Sequence, residues 1–166
     1  MKIFLYNCLI LILLPAMVLR IVFKSFKDKD YRLNFSQRFG IYNNIRTLEN
    51  PIWFHAVSLG EVISSKKIIS KICKNNEVIL TVSTPTGLRE AKKIYGDKLV
   101  VIYSPWDFLI FINNFYKKFN PIALVIFETE IWPSMIYFSS KKNIPIVLSN
   151  ARLSESSLKK YLLFES

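Results

Sequence analysis

Apolar residues fall into two patterns along this chain. From Ile3 to Leu19 there is no charge and Leu and Ile dominate, with Lys2 before the run and Arg20 after it. With Ile21, Val22 and Phe23 the run reaches roughly the 20 residues that a bilayer-spanning helix needs. Arg20 can snorkel from near a helix end, and Pro15 is tolerated in membrane helices. The residues after Phe23, Lys-Ser-Phe-Lys-Asp-Lys-Asp, lack the small residues of a signal-peptide cleavage site. The pattern predicts an uncleaved membrane anchor over residues 1–24.

The second pattern begins after a loop through Asn43, Asn44 and Asn50. Short, β-branched-rich runs recur at Ile52–Val57, Val78–Val82, Leu99–Tyr103, Ile122–Phe127 and Ile144–Leu148, each fitting a strand buried on both faces. Helical spacing fills the intervals. Val62, Ile69, Ile72 and Cys73 share one face, as do Leu88, Ala91 and Tyr95, and Leu109–Lys118 and Trp132–Lys141 make the next two crossovers. Ser154 begins a last helix, Glu155 to Phe164. Strand–helix alternation predicts an α/β fold with a doubly wound parallel sheet. Between anchor and sheet, residues 25–50 read as a basic juxtamembrane segment, with Asp30–Phe39 a short amphipathic helix ended by Gly40.

Composition narrows the partners. The 166 residues carry a formal net charge of +11 and are 51% hydrophobic, so a real core can form and disorder is excluded. A basic chain suits nucleic acid, an anionic membrane or a phosphorylated substrate. No nucleic-acid motif is present, and the anchor also speaks against that partner. Lys24, Lys27, Lys29 and Arg32 follow the anchor against Lys2 before it, which places the remainder in the cytoplasm. These residues lie at head-group level or form a solvated linker. Cys8, Cys73 and His55 have no metal-ligand spacing, and phosphate-binding glycine loops are absent. His55 alternates with core positions and reads as a satisfied core histidine.

Polar residues follow every strand, and in a parallel sheet they share the carboxyl edge, where ligands bind. Ser58-Leu59-Gly60-Glu61 follows the first strand and opens a helix, so Glu61 is either a helix-start residue or a base facing a substrate. Thr84-Pro85-Thr86-Gly87 is a turn into a helix, with Thr84 and Thr86 near its N–H groups. Glu128 and Glu130 follow the fourth strand and share a face if the chain stays extended. Two such carboxylates repel unless a cation intervenes. Arg152 can supply it, either as a buried pair fixing the loops or as part of a polar site.

His55-Ala-Val-Ser-Leu-Gly-Glu61, Ser83-Thr-Pro-Thr-Gly87, Phe127-Glu-Thr-Glu-Ile-Trp-Pro133 and Ser149-Asn-Ala-Arg-Leu-Ser154 stand in register with Arg38-Phe-Gly-Ile-Tyr42 and the anchor. The chain resembles the amino-terminal half of the Kdo (3-deoxy-D-manno-octulosonic acid) transferases of lipopolysaccharide synthesis. The resemblance implies the Rossmann-like, acceptor-binding domain of a GT-B glycosyltransferase, here residues 51–166. It implies an inverting transfer from CMP-Kdo, the donor substrate, to the lipid A precursor lipid IVA, without a cofactor or metal, on the cytoplasmic face of a bacterial inner membrane. It casts Glu61 as general base and Glu128 as transition-state stabiliser. Ser58, Gly60, Thr84, Thr86, Glu130 and Arg152 become acceptor-binding candidates, and Arg20, Lys24 and Arg38 membrane or phosphate contacts. The family's second, CMP-binding domain has no counterpart before Ser166. The reading is therefore a fragment or a truncated product, expected to bind acceptor and membrane without transferring Kdo. The alternative is a non-catalytic, membrane-anchored binding remnant.

Overall fold

The computed structural model describes residues 2–151. Arg152, Ser154 and the helix expected after them lie outside those residues. The five strands are β1 (Ile52–His55), β2 (Val78–Val82), β3 (Val100–Tyr103), β4 (Ala123–Phe127) and β5 (Ile146–Ser149). They pair in parallel in the order β3-β2-β1-β4-β5. The crossovers are α2 (Leu59–Ile72), α3 (Pro85–Tyr95), α4 (Leu109–Phe119) and α5 (Pro133–Lys141). The architecture is the expected α/β, Rossmann-like sheet.

Strand alternation divides the core into two layers. Phe54, Leu80, Val101 and Val125 pack with Val62, Ile69, Leu88 and Ala91 of α2 and α3. Trp53, Ile79, Ile102 and Leu124 pack with Ile112, Phe115, Tyr116 and Met135 of α4 and α5. Trp53 lies 4.0 Å from Phe115, centroid to centroid. Each such buried side chain contributes about 1.5–3 kcal/mol relative to exposure. β5 departs from the expectation of burial on both faces: Val147 and Leu148 are 51% and 47% exposed. It is an edge strand, paired with β4 on one side only.

The anchor helix α1 (Lys2–Lys27) continues through Pro15. By length and composition it is apolar enough to cross a membrane. It is tied, however, to the domain at both ends. The Tyr6 hydroxyl donates to Asp107 Oδ2 at 2.9 Å. Asn7 accepts from the Leu109 N–H at 2.8 Å and donates to Ser134 Oγ at 3.3 Å. Beyond its other end, Asp28 and Asp30 pair with Arg89 of α3. Ile3, Asn7, Ile10, Leu14, Met17, Ile21 and Ser25 turn inward at heptad spacing, while Phe4, Leu5, Leu9, Ile12, Phe23 and Phe26 are exposed. The helix is a strap laid across the domain, not a rod leaving it.

The helix expected over Asp30–Phe39 is two 3₁₀ turns, Lys29–Tyr31 and Phe35–Phe39. Asn34, at φ 53°, breaks the segment between them. Gly40 ends it at φ 72°, where an added Cβ would lie 2.5 Å from the Phe111 carbonyl oxygen.

Candidate functional site

Strand order reverses between β1 and β4, because β2 and β3 extend to one side of β1 and β4 and β5 to the other. The crevice at their carboxyl ends is where an open α/β sheet binds ligands. On the β1 side Ser58 caps α2, its Oγ accepting from the Glu61 N–H at 3.4 Å. The Glu61 carboxylate folds back, accepting from the Val57 N–H at 2.7 Å and the Ser58 hydroxyl at 2.8 Å. This is close to a capping box, with the N–H of Val57 in place of that of the cap residue Ser58, and it leaves each oxygen a further lone pair. Gly60 meets little beyond Ser58 Oγ, so its surface is open. Gly87, the third residue of α3, sits where a Cβ would lie 3.0 Å from Thr84 Oγ1 and 3.3 Å from the Leu59 nitrogen. Its absent side chain lets the starts of α2 and α3 meet.

On the β4 side the strand stops at Phe127, and Glu128 adopts φ 63°. The alternation that would have put Glu128 and Glu130 on one face is therefore broken. Among the described residues seven non-glycines have positive φ; six are Asn and the seventh is Glu128. Asn tolerates this region through its short polar side chain, whereas for Glu it is a strained conformation. The Glu128 N–H bonds to the Ser149 carbonyl at 2.8 Å, fixing the turn against β5. The Glu130 carboxyl is raised above its ordinary range, chiefly by burial and then by Glu61 and Glu128. Glu61 follows β1, and Glu128 and Glu130 follow β4, so the three lie at the carboxyl edge on the two sides of the switch point.

His55 and Trp132 floor this corner. Thr81 Oγ1 accepts from Trp53 Nε1 at 2.8 Å and lies 2.8 Å from His55 Nδ1. With one lone pair occupied, the Thr81 hydroxyl can still donate to Nδ1 or accept from it. In either tautomer Nε2 has no partner, so His55 is only half satisfied, in contrast to the satisfied core histidine expected from the sequence. Burial lowers its pKa to about 4, so it is neutral. The ring meets Trp132 edge-on at 6.2 Å. Trp132 precedes Pro133 at the start of α5, as expected. Its indole N–H has no well-formed hydrogen bond but favours the ionised form of Glu130.

Next to this corner, under α1, lies a cleft of about 290 Å³. Arg20, Lys24, Arg38 and Thr84 line it, with Tyr6, Ile10, Met17 and Ile21 of α1, Trp106 and Asp107 of the β3–α4 loop, and Trp132. Arg38 is buried within the fold. It is 2% exposed, donates to the Ser83 carbonyl at 3.1 Å and stacks 4.1 Å from the Tyr103 ring centre. Thr84 caps α3, accepting from the Gly87 N–H at 3.2 Å. Thr86 is exposed and lies 3.4 Å from Thr84 Oγ1. The candidates thus form two adjoining groups: carboxylates at the switch point and cations under the strap, with Trp132 in the wall between.

Asp107, one of the polar residues that follow β3, has a role that its local sequence does not announce. Its oxygens accept the Ser134 and Met135 N–H groups, both at 2.8 Å, and the Tyr6 hydroxyl. It caps α5 and fastens α1. Asn7, a lone amide in an apolar run, was the available signal for that fastening. Among the described residues no group of three or more His, Cys, Asp and Glu side chains is placed to hold a metal ion.

Comparison with known proteins places this geometry. Residues 33–166 match the family described as 3-deoxy-D-manno-octulosonic-acid transferase (kdotransferase). The 3-deoxy-D-manno-octulosonic acid transferase of Haemophilus influenzae is 33% identical over 162 residues, 95% of this chain and 38% of the relative. A probable mitochondrial 3-deoxy-D-manno-octulosonic acid transferase of Arabidopsis thaliana is 29% identical over 95% of this chain and 36% of its own length. The transferase of Bordetella pertussis is 30% identical over 68% of the chain and 28% of its own length. The chain spans little more than a third of the length of its first two relatives. It belongs to the 3-deoxy-D-manno-octulosonic acid transferase family.

Proposed function

We propose that this chain is the acceptor-binding part of an inverting transferase that moves Kdo from CMP-Kdo to lipid IVA at the cytoplasmic face of the inner membrane. The observation that carries the reading is the placement of Glu61 after β1 and of Glu128 and Glu130 after β4, on the two sides of one switch point. Glu61 takes the proton of the acceptor hydroxyl, which forms the new bond to the anomeric carbon of Kdo as the bond to CMP breaks. A base must lie within hydrogen-bond reach of that hydroxyl, and a carboxylate held by Val57 and Ser58 is fixed for the task. Glu128 is assigned to the developing positive charge at the sugar carbon. Ser58, Gly60, Thr84, Thr86, Glu130 and Arg152 are assigned to the acceptor. CMP-Kdo has no residue of this chain assigned to it.

The membrane side of the proposal rests on α1. A helix tied at both ends, with apolar residues outward and Lys24, Lys27, Lys29 and Arg32 at its end, suits the plane of an anionic membrane interface. The deciding experiment is Glu61→Gln in the complete enzyme. Glutamine serves the same place in a capping box, so the fold should persist while transfer falls about 10²–10⁴-fold. Turnover like that of the wild type would refute the base assignment.

A further inference from the structure

The four crossover helices differ in how their first turns are capped. α2 and α3 cap themselves, through Ser58 and Thr84. The residues in the same place before α4 and α5 are Phe108 and Trp132, whose side chains have no oxygen to offer. The leading N–H groups of a helix find no partner within it, and these two helices draw acceptors from other parts of the chain. The Leu109 N–H of α4 bonds to Asn7 Oδ1 of α1 at 2.8 Å. The Ser134 and Met135 N–H groups of α5 bond to the Asp107 carboxylate, which Tyr6 of α1 holds in turn. The Ser134 hydroxyl donates to the Asp107 carbonyl at 3.0 Å and accepts from Asn7 Nδ2 at 3.3 Å. Asn7, Asp107 and Ser134 are all buried. Two neighbouring side chains of α1 thus complete the starts of both helices that flank β4.

We infer that Tyr6 and Asn7 are positioning residues for the carboxyl-edge site, so that α1 belongs to the machinery of transfer and is more than a membrane contact. The loop that carries Glu128, Glu130 and Trp132 hangs between two fixed points. One is the Glu128 N–H on the Ser149 carbonyl of β5. The other is the first turn of α5, fixed by Asp107 and, through it, by α1. Only residues 128–132 separate β4 from α5, too short a stretch to absorb a shift of the helix start without moving Glu130. Trp132 ends this loop against His55, and its indole N–H favours the ionised form of Glu130. A start of α5 that drifts carries Trp132 with it, and a small misplacement at a reacting site is costly. The consequence for turnover rests on the transferase reading; the hold of α1 on the loop rests on the hydrogen bonds alone.

The test labels the protein with 5-fluorotryptophan and reads fluorine NMR in neutral detergent micelles, the Trp132 signal being assigned by its loss in Trp132→Phe. Asn7→Leu keeps α1 apolar and removes the bonds of that side chain to Leu109 and Ser134. It should shift or broaden the Trp132 signal, with an unmoved Trp53 signal as the sign of an intact core. Tyr6→Phe removes a single hydroxyl and should act in the same way to a lesser degree, which keeps the test open if Asn7→Leu folds poorly. Arg89→Gln cuts the tie at the other end of α1 and should leave Trp132 in place. In the complete enzyme Asn7→Leu should lower kcat about 10–10²-fold, a loss that persists at saturating acceptor. A loss that vanishes there would overturn the inference, since α1 would then act through the membrane alone. So would a Trp132 signal unchanged in both α1 variants, or one moved equally by Arg89→Gln. Turnover like that of the wild type in Glu61→Gln would sink the base assignment and leave the fluorine result standing, so the two failures are distinct.

Discussion

At the scale of single residues, Glu128 separates function from folding. Every other positive-φ non-glycine among the described residues is Asn, so Glu128→Asn substitutes the residue this chain uses elsewhere for that backbone. Melting temperature should be unchanged or rise, by a stabilisation of about 1 kcal/mol, while transfer by the complete enzyme falls. A loss of stability would mean that the Glu128 side chain holds the loop. His55 offers a pH signature. Its folded pKa, about 4, lies below its ordinary 6.5. The native state keeps the ring neutral, whereas the unfolded chain takes up a proton below about 6.5. Its contribution is therefore whole above that value and is lost as pH falls toward 4. Chemical denaturation between pH 7.5 and about 4.5 should show this slope, and His55→Gln should flatten it.

Among elements, α5 shows how much hangs on one carboxylate. Asp107 accepts two N–H groups from its first turn. In Asp107→Asn the amide must face one of these donors with a donor of its own, at a cost of about 1–3 kcal/mol. Urea unfolding should show the loss, and hydrogen exchange should locate it at the start of α5 and in the first turns of α1. The strands and crossovers were legible in the sequence because burial on both faces writes β-branched runs, and helices between them write a 3.6-residue period. β5 carried the same run yet lies at an edge, since a run records composition and not neighbours. Ser58 and Glu61 were legible as a cap. The corner of Glu61, Glu128 and Glu130 was only partly so, because left-handed backbone at Glu128 has no signature in a residue type that usually avoids it. The burial of Arg38 was not legible, because nothing local to Arg38-Phe-Gly shows that Tyr103 will lie against it.

For the whole molecule, the decisive matter is how α1 meets a membrane. Its 26 residues extend about 39 Å, so a transverse helix would put its ends on opposite sides of a bilayer. A strap puts them on the same side at the same depth. Spin labels at Phe4→Cys and Phe26→Cys, both outward-facing, should give equal shallow immersion in vesicles, reached alike by a water-soluble relaxation agent. Markedly different depths would favour a span.

The fastening of α1 also sets an order of events during synthesis. Asn7 leaves the ribosome early, but its partners Leu109 and Ser134 follow 102 and 127 residues later. At typical translation speeds the second interval is roughly 6–25 s. For that time the helix exists without the surface it will lie on, and lipid is the solvent that can hold its apolar side chains. On the membrane-resting reading proposed above, the ribosome is brought to the membrane before the sheet is complete, and the domain assembles onto a helix already resting there.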